Sequence, residues 1–373
     1  MNTPWIEFSP VADNEQQALP QHSDYCWQAV FACQVGIRSH EEWARLKWGF
    51  NAMALFDEFL ERQKLFLEAQ YSIRNEMRLE SPDQQTLAFR YIQRPGEGVG
   101  LTILGKIYAR TEAEAVRNVA AFYRGVHSTF PYDYQLIPAC TRQEFLQFSG
   151  QNLLGEKEND SWVAQIRRAE IPAVPDRRSP FLQGLWQTSA HAHESIWRSL
   201  ASAPHPVVMN VLLRSTILYE REQSMLLKSD SEISEIGEGL VNQKTLTTVQ
   251  EWSARYTERR LMPWKKFFYL QVHLASNGTM DENLCRIIGT SLTLASGKDS
   301  LPGYQAIVPR PDDESIWRKQ LSELNLTLSN SRLSLPRLAD IADMDEVFAV
   351  MRLPYSPPDK GFPDIVFAPA AKD

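Results

Sequence analysis

Residues 86–109 read TLAFRYIQRPGEGVGLTILGKIYA, and this stretch decides which folds are open to the chain. Residues 86–93 and 99–109 are rich in aromatic, β-branched and other strand-favouring side chains. Between them, Arg94-Pro95-Gly96-Glu97-Gly98 carries the proline and glycines of a tight turn, so the two runs form a β-hairpin. On the N-terminal side, residues 65–73 set Phe66, Glu68, Gln70 and Ser72 against Leu65, Leu67, Ala69, Tyr71 and Ile73, the period-two pattern of a further strand. On the C-terminal side, Thr111 starts a helix whose Ala115, Val119, Phe122 and Val126 share one face. Pro131 ends it, residues 132–138 return as a strand, and Thr141 with Glu144 makes a capping box for a short helix. The order β-β-β-α-β implies an antiparallel α+β lobe with helices on one face.

Further out, residues 1–23 are polar and broken by proline, as in an arm. Ser39 is placed to cap a helix running to about residue 60, with Glu41 and Glu42 in its first turn. Trp43, Leu46, Phe50, Met53, Ala54 and Phe56 form its apolar face. After a polar loop at 150–161, strands are expected at 162–171, 181–188, 206–214, 267–275 and 304–308. Helices are expected near 193–202 and at 216–228, 244–262, 280–288 and 312–324, with an acidic, serine-rich break at 229–239. In the tail, Asp343, Asp345 and Glu346 open a helix carrying Val347, Phe348 and Met351. It stops at Arg352-Leu353-Pro354, and the proline-stiffened residues 355–363 continue as an extended arm. The expected fold class is α+β: two lobes of small, mainly antiparallel sheets backed by helices, on a ferredoxin-like plan. The divisions are an arm and lead-in (1–38), a first lobe (39–150), a second lobe (151–335), and a C-terminal helix with a Pro-rich docking arm (336–373).

With 373 residues, 43% hydrophobic and 23% charged, the chain has the composition of a globular protein. A net charge of −7 argues against a protein that coats nucleic acid over its whole surface. No apolar run approaches the ~18 residues of a membrane span, and the N-terminus lacks the basic start and apolar middle of a secretion signal. Cys26, Cys33, Cys140 and Cys285 are scattered without a CxxC, which suits reduced thiols in the cytoplasm.

Three motifs invite chemistry and each has a plainer reading. Gly100 to Lys106 matches the start of a phosphate-binding loop, but Leu101, Thr102, Ile103 and Leu104 favour a strand, and Ile107 stands where a magnesium-binding hydroxyl belongs. The GxGxG run at 96–100 lies between two strands instead of opening a helix, so it is a turn. His191, His193 and Glu194 fit neither zinc-hydrolase nor deaminase spacing. No catalytic set, metal site or cofactor is read. Arg255, Arg259, Arg260, Lys265 and Lys266 lie among Tyr256, Trp264, Phe267 and Phe268, the mixture that single-stranded nucleic acid favours. The same cations would also suit a helix C-terminus without a ligand.

In the tail, Glu346, Val347, Phe348, Arg352, Leu353, Pro354, Pro357, Pro358, Gly361, Pro363 and Ile365 fall in a recognisable order. The passage resembles the segment that closes the N-terminal domain of HerA-type and conjugative (type IV secretion) ATP-binding motor proteins and leads into their RecA-like motor. Pro206, Val208, Val211, Leu213, Thr216, Glu220 and Glu222 resemble a second passage of those families, with Ser215 where proline is usual. Residues 99–115 resemble a third, and the likeness runs patchily over residues 60–367. The motor would begin soon after the tail, yet the sequence stops at Asp373, so the chain is expected to be a stand-alone partner or the front of a longer protein. The resemblance implies a non-catalytic scaffold that binds a ring-forming HerA- or FtsK-type ATPase or its motor domain. It admits a homo-oligomer and DNA as further partners, without a membrane span, in the cytoplasm or peripheral at a membrane-bound complex. Phe348, Arg352, Leu353, Pro354 and Tyr355 would be the docking strip. The alternative is a single-stranded DNA-binding accessory acting through Arg255, Arg259, Arg260, Lys265 and Lys266.

Overall fold

A computed structural model describes residues 4–11, 26–37, 52–71, 85–154, 161–174, 180–237, 243–293, 303–326, 336–354 and 365–366. The helix start expected at Ser39, Tyr355 and the arm at 355–363 lie outside them. The strands of the first half are β1 (Glu7–Pro10), β2 (Trp27–Ile37), β3 (Thr86–Arg94), β4 (Gly98–Ala109) and β5 (Tyr134–Pro138). Those of the second half are β6 (Trp162–Arg168), β7 (Glu170–Pro172), β8 (Phe181–Gln183), β9 (Val207–Thr216), β10 (Phe267–Ser276) and β11 (Tyr304–Ile307). The tail adds β12 (Ile341–Asp343) and β13 (Ile365–Val366). The helices are α1 (Ala52–Ala69), α2 (Glu112–Thr129), α3 (Arg142–Ser149), α4 (Gln151–Leu154), α5 (Ala190–Ala201) and α6 (Glu220–Ser234). They continue with α7 (Gln243–Leu261), α8 (Glu282–Leu292), α9 (Glu314–Ser322), α10 (Pro336–Asp340) and α11 (Met344–Val350).

The hairpin expected at 86–109 is β3 with β4, closed by a turn in which Gly96 and Gly98 take φ of 79° and 84°. Those angles cost glycine nothing and other residues a good deal. Eleven described strands join in one sheet whose main path is β1-β2-β4-β3-β9-β10-β6-β11. Its middle is β3 against β9, antiparallel from Thr86 opposite Arg214 to Gln93 opposite Val207. This pairing runs the sheet of the first half into that of the second. At one side β1 and β5 lie end to end along β2, and at the other β6 and β12 share the edge of β10. Among the described strands every pair is antiparallel except β13 on β4. The fold is therefore α+β, a mainly antiparallel sheet backed by helices, as the sequence implied.

One face of the sheet carries the main core. Phe31, Phe89, Ile103, Val211 and Val272 point into it from successive strands, and α1, α2, α5, α8 and α11 cover it with Phe66, Phe122, Ile196, Ile288 and Val347. The other face is covered as well: Phe145 and Leu324 pack on Ala32, Ala88, Leu104 and Leu212, and Leu154 and Leu321 pack on Val163, Val208 and Ala275. Helices thus lie on both faces, not on one, which explains why β3 is buried at nearly every position. The second face also buries charge. Arg90, Asn210, His273 and Gln165 are cross-strand neighbours in a row. Arg90 donates to Asn210 Oδ1 at 3.0 Å and to the carbonyls of Ser149 and Leu321 at 2.6 Å each. It staples α3 and α9 to the sheet without a carboxylate, and burial lowers its pKa to about 9.

Four local expectations are corrected. Residues 65–69 belong to α1, not a strand: Phe59, Gln63, Phe66, Leu67 and Gln70 are buried at helical spacing, while Leu65 is 57% exposed. Within the stretch read as an arm, Glu7–Pro10 is a strand on β2. The acidic break begins later than 229, because α6 runs to Ser234. Only 181–183 of the strand expected at 181–188 is extended in a sheet.

Candidate functional site

The tail helix begins with a reciprocal cap. Asp343 Oδ1 accepts from the Glu346 amide at 3.1 Å, and Glu346 Oε2 accepts from the Asp343 amide at 3.0 Å. Both carboxylates then serve a second purpose. Glu346, fully buried, lies 2.8 Å from Arg168 Nη1 on β6 and 2.5 Å from Arg260 Nη1 at the end of α7. It also accepts the Trp186 amide at 3.1 Å. Asp343 is gripped by Arg259 through two bonds of 2.6 Å and by Lys265 Nζ at 2.9 Å. Burial alone would raise both acids, but the surrounding guanidinium groups outweigh it and hold them below the usual carboxylate range. Arg168 further donates to the carbonyls of Ala339 and Ile341, at 2.9 and 2.7 Å.

Beyond the helix the tail crosses to the first half of the chain. The Leu353 amide donates to Gln63 Oε1 on α1 at 2.9 Å, Tyr91 on β3 donates to the Arg352 carbonyl at 2.8 Å, and Tyr134 on β5 donates to the Pro354 carbonyl. Leu353 and Pro354 are buried, and Phe348 packs half-buried against the main core. The expected docking strip is therefore seated on the chain's own body as far as Pro354.

The basic cluster is divided by the same tail. Arg260 is buried against Glu346, Arg259 and Lys265 are committed to Asp343, and Lys266 Nζ lies 3.6 Å from Glu68. Arg255 is exposed, 5.9 Å from the Trp252 ring. Trp264, in the turn between α7 and β10, is 98% exposed at φ 64°. Arg259 and Arg352, one from each expected site, meet in an open cleft of ≈ 340 Å³. Thr188 and Ser189, just before α5, line it as well, with Ala349 and the exposed Asp345 of α11.

The remaining motifs are structural. Gly100 to Lys106 lies within β4, and Lys106 Nζ is buried against the Glu323 carbonyl at 2.9 Å and Asn325 Oδ1. His193 Nε2 sits 2.7 Å from the Ala349 carbonyl, and burial, helped by Arg352, lowers its pKa to about 3, so the ring is neutral. Among the described residues no three His, Cys, Asp or Glu side chains are grouped to hold a metal, and no helix is long and apolar enough to cross a membrane. Sequence reasoning missed Arg168, Gln63, Tyr91 and Tyr134, the partners that fix the tail. Compared with protein-family models and with curated protein sequences, the chain matches none.

Proposed function

We propose that the chain is a non-catalytic scaffold that holds a ring-forming HerA- or FtsK-type ATPase, its motor domain or its apparatus, in the manner of the N-terminal domain it resembles. The observation that supports this reading is the fixing of the lead-in segment at both ends. Glu346 anchors it to β6 and α7, and Gln63, Tyr91 and Tyr134 anchor residues 352–354 to the other half of the sheet. A segment held this way presents a fixed surface as far as Pro354, which is what a seat for a machine requires. The test is to mix the purified chain with a ring ATPase of this type and follow both by size-exclusion chromatography and ATP turnover. Co-elution, with no hydrolysis by the chain alone, is expected; turnover by the chain alone, or separate elution, overturns the proposal.

One observation favours the single-stranded DNA reading, namely the fully exposed ring of Trp264 between Arg255 and Lys266. A base could stack on it while the cations meet phosphates. That reading expects oligothymidylate to quench tryptophan fluorescence, with affinity falling steeply as salt rises and lost in Trp264→Ala.

A further inference from the structure

We propose that the chain pairs with a second copy of itself by exchanging β13, the strand of one copy filling the fork between β2 and β4 of the other. β2 runs beside β4 as far as Gln34 opposite Thr102, then leaves it for β5, which it follows from Cys33 opposite Pro138 to Ile37 opposite Tyr134. Val99 and Gly100 of β4 are held on their other side by Gln93 and Ile92 of β3. The edge that β2 vacates is taken by β13, parallel, with Ile365 opposite Val99 and Val366 opposite Gly100. The occupant that this slot accepts is therefore on view. It is a short apolar strand, Ile365-Val366, which every copy of the chain carries.

The bonds made are the same whether β13 fills its own fork or a neighbour's, so the connector decides between them. Residues 355–364 lie outside the described residues, but their number and sequence set their reach. Three of the ten, Pro357, Pro358 and Pro363, are proline, which favours extended backbone of about 3.1 Å per residue, roughly 30 Å in all. Both ends of the connector stand at the fork. Pro354 is fastened by Tyr134, opposite Ile37 where β2 has turned away, and Ile365 lies on β4. Across the fork that is about three strand spacings, roughly 15 Å. A stiff connector longer than its span has to bend to serve its own chain, which lowers the effective concentration of β13 there. Reaching to a second copy lets it extend. Exchange in both directions closes a two-fold dimer. The inference holds whether or not the chain seats an ATPase.

The test follows the mass of the full chain by size-exclusion chromatography with light scattering, up to about 1 mM, the effective concentration of a short flexible connector. A dimer that grows with concentration is expected. Ile365→Asp with Val366→Asp, which puts charge on the exchanged strand, is expected to leave a monomer. Pro357→Gly with Pro358→Gly and Pro363→Gly softens the connector and favours the closed monomer, so it is expected to weaken the dimer at least about threefold. The glycine set lies outside both the fork and the strand, so the test stands should the aspartates loosen the fold. A monomer at every concentration, a dimer that survives the aspartates, or one that the glycines leave as tight overturns the exchange.

Discussion

Glu346 is the residue on which the tail depends, because it answers two buried guanidinium groups at once. Glu346→Gln leaves Arg168 buried without a counter-charge and Arg260 with only Asp343, at 3.8 Å. It should cost about 3–5 kcal/mol, the usual penalty for breaking a buried pair from one side. A urea titration comparing midpoints at constant slope would measure it. Asp340 behaves in the opposite sense. Burial raises its pKa to about 6, despite Arg167 at 3.4 Å and a hydrogen bond from Gln271 at 2.9 Å. A carboxyl whose folded-state pKa is raised stabilises the fold below the ordinary carboxylate range, and that stability is lost as pH rises through about 6. Asp340→Asn, neutral throughout, should therefore gain on the native chain between pH 4 and 7.5 by on the order of 3 kcal/mol. Asp343 and Glu346, with lowered pKa, stabilise above that range and lose the effect on acidification, but they are common to both proteins and cancel.

At the scale of elements, β4 and β2 pack so closely that Gly105 is obligatory. A Cβ there would lie 2.3 Å from the Phe31 ring and 2.8 Å from Phe122. Gly105→Ala should destabilise by about 1–3 kcal/mol through overpacking, and guanidinium unfolding would show it as a shifted midpoint. The strands and helices around this point were mostly legible because their periods are clean: the hairpin, α2 with its threonine cap, α3 with its capping box, and α7 with Leu246, Val249, Trp252 and Tyr256. The failures share a cause. In α1 and just after it, Gln63 and Gln70 are buried, bonded to the Leu353 amide and the Phe66 carbonyl. Set with Glu68 and Ser72 on one face, Gln70 turned the end of a helical stripe into an alternation. β2 escaped notice because Gln28 and Gln34 interrupt its apolar run, although both face a buried sheet surface or its margin. The basic cluster was visible as a charge pattern, but its partners lie some 80 residues further along, at Asp343 and Glu346, and no local spacing announces them.

At the scale of the whole molecule, the β3–β9 pairing and the tail join the two halves. The chain is therefore expected to unfold in one cooperative transition, with calorimetric and van't Hoff enthalpies in agreement. Two resolved transitions would show that the continuous sheet does not couple its halves. The tail also has a mechanical consequence. Once β13 has parted from β4, tension on the tail reaches the hydrogen bonds of Tyr134, Tyr91 and Gln63, and only after these part does it load Glu346 and its two arginines. Under a rising pull, such a fastening should yield in two stages, a soft slack followed by a hard stop, so that the body could absorb small tugs without letting go.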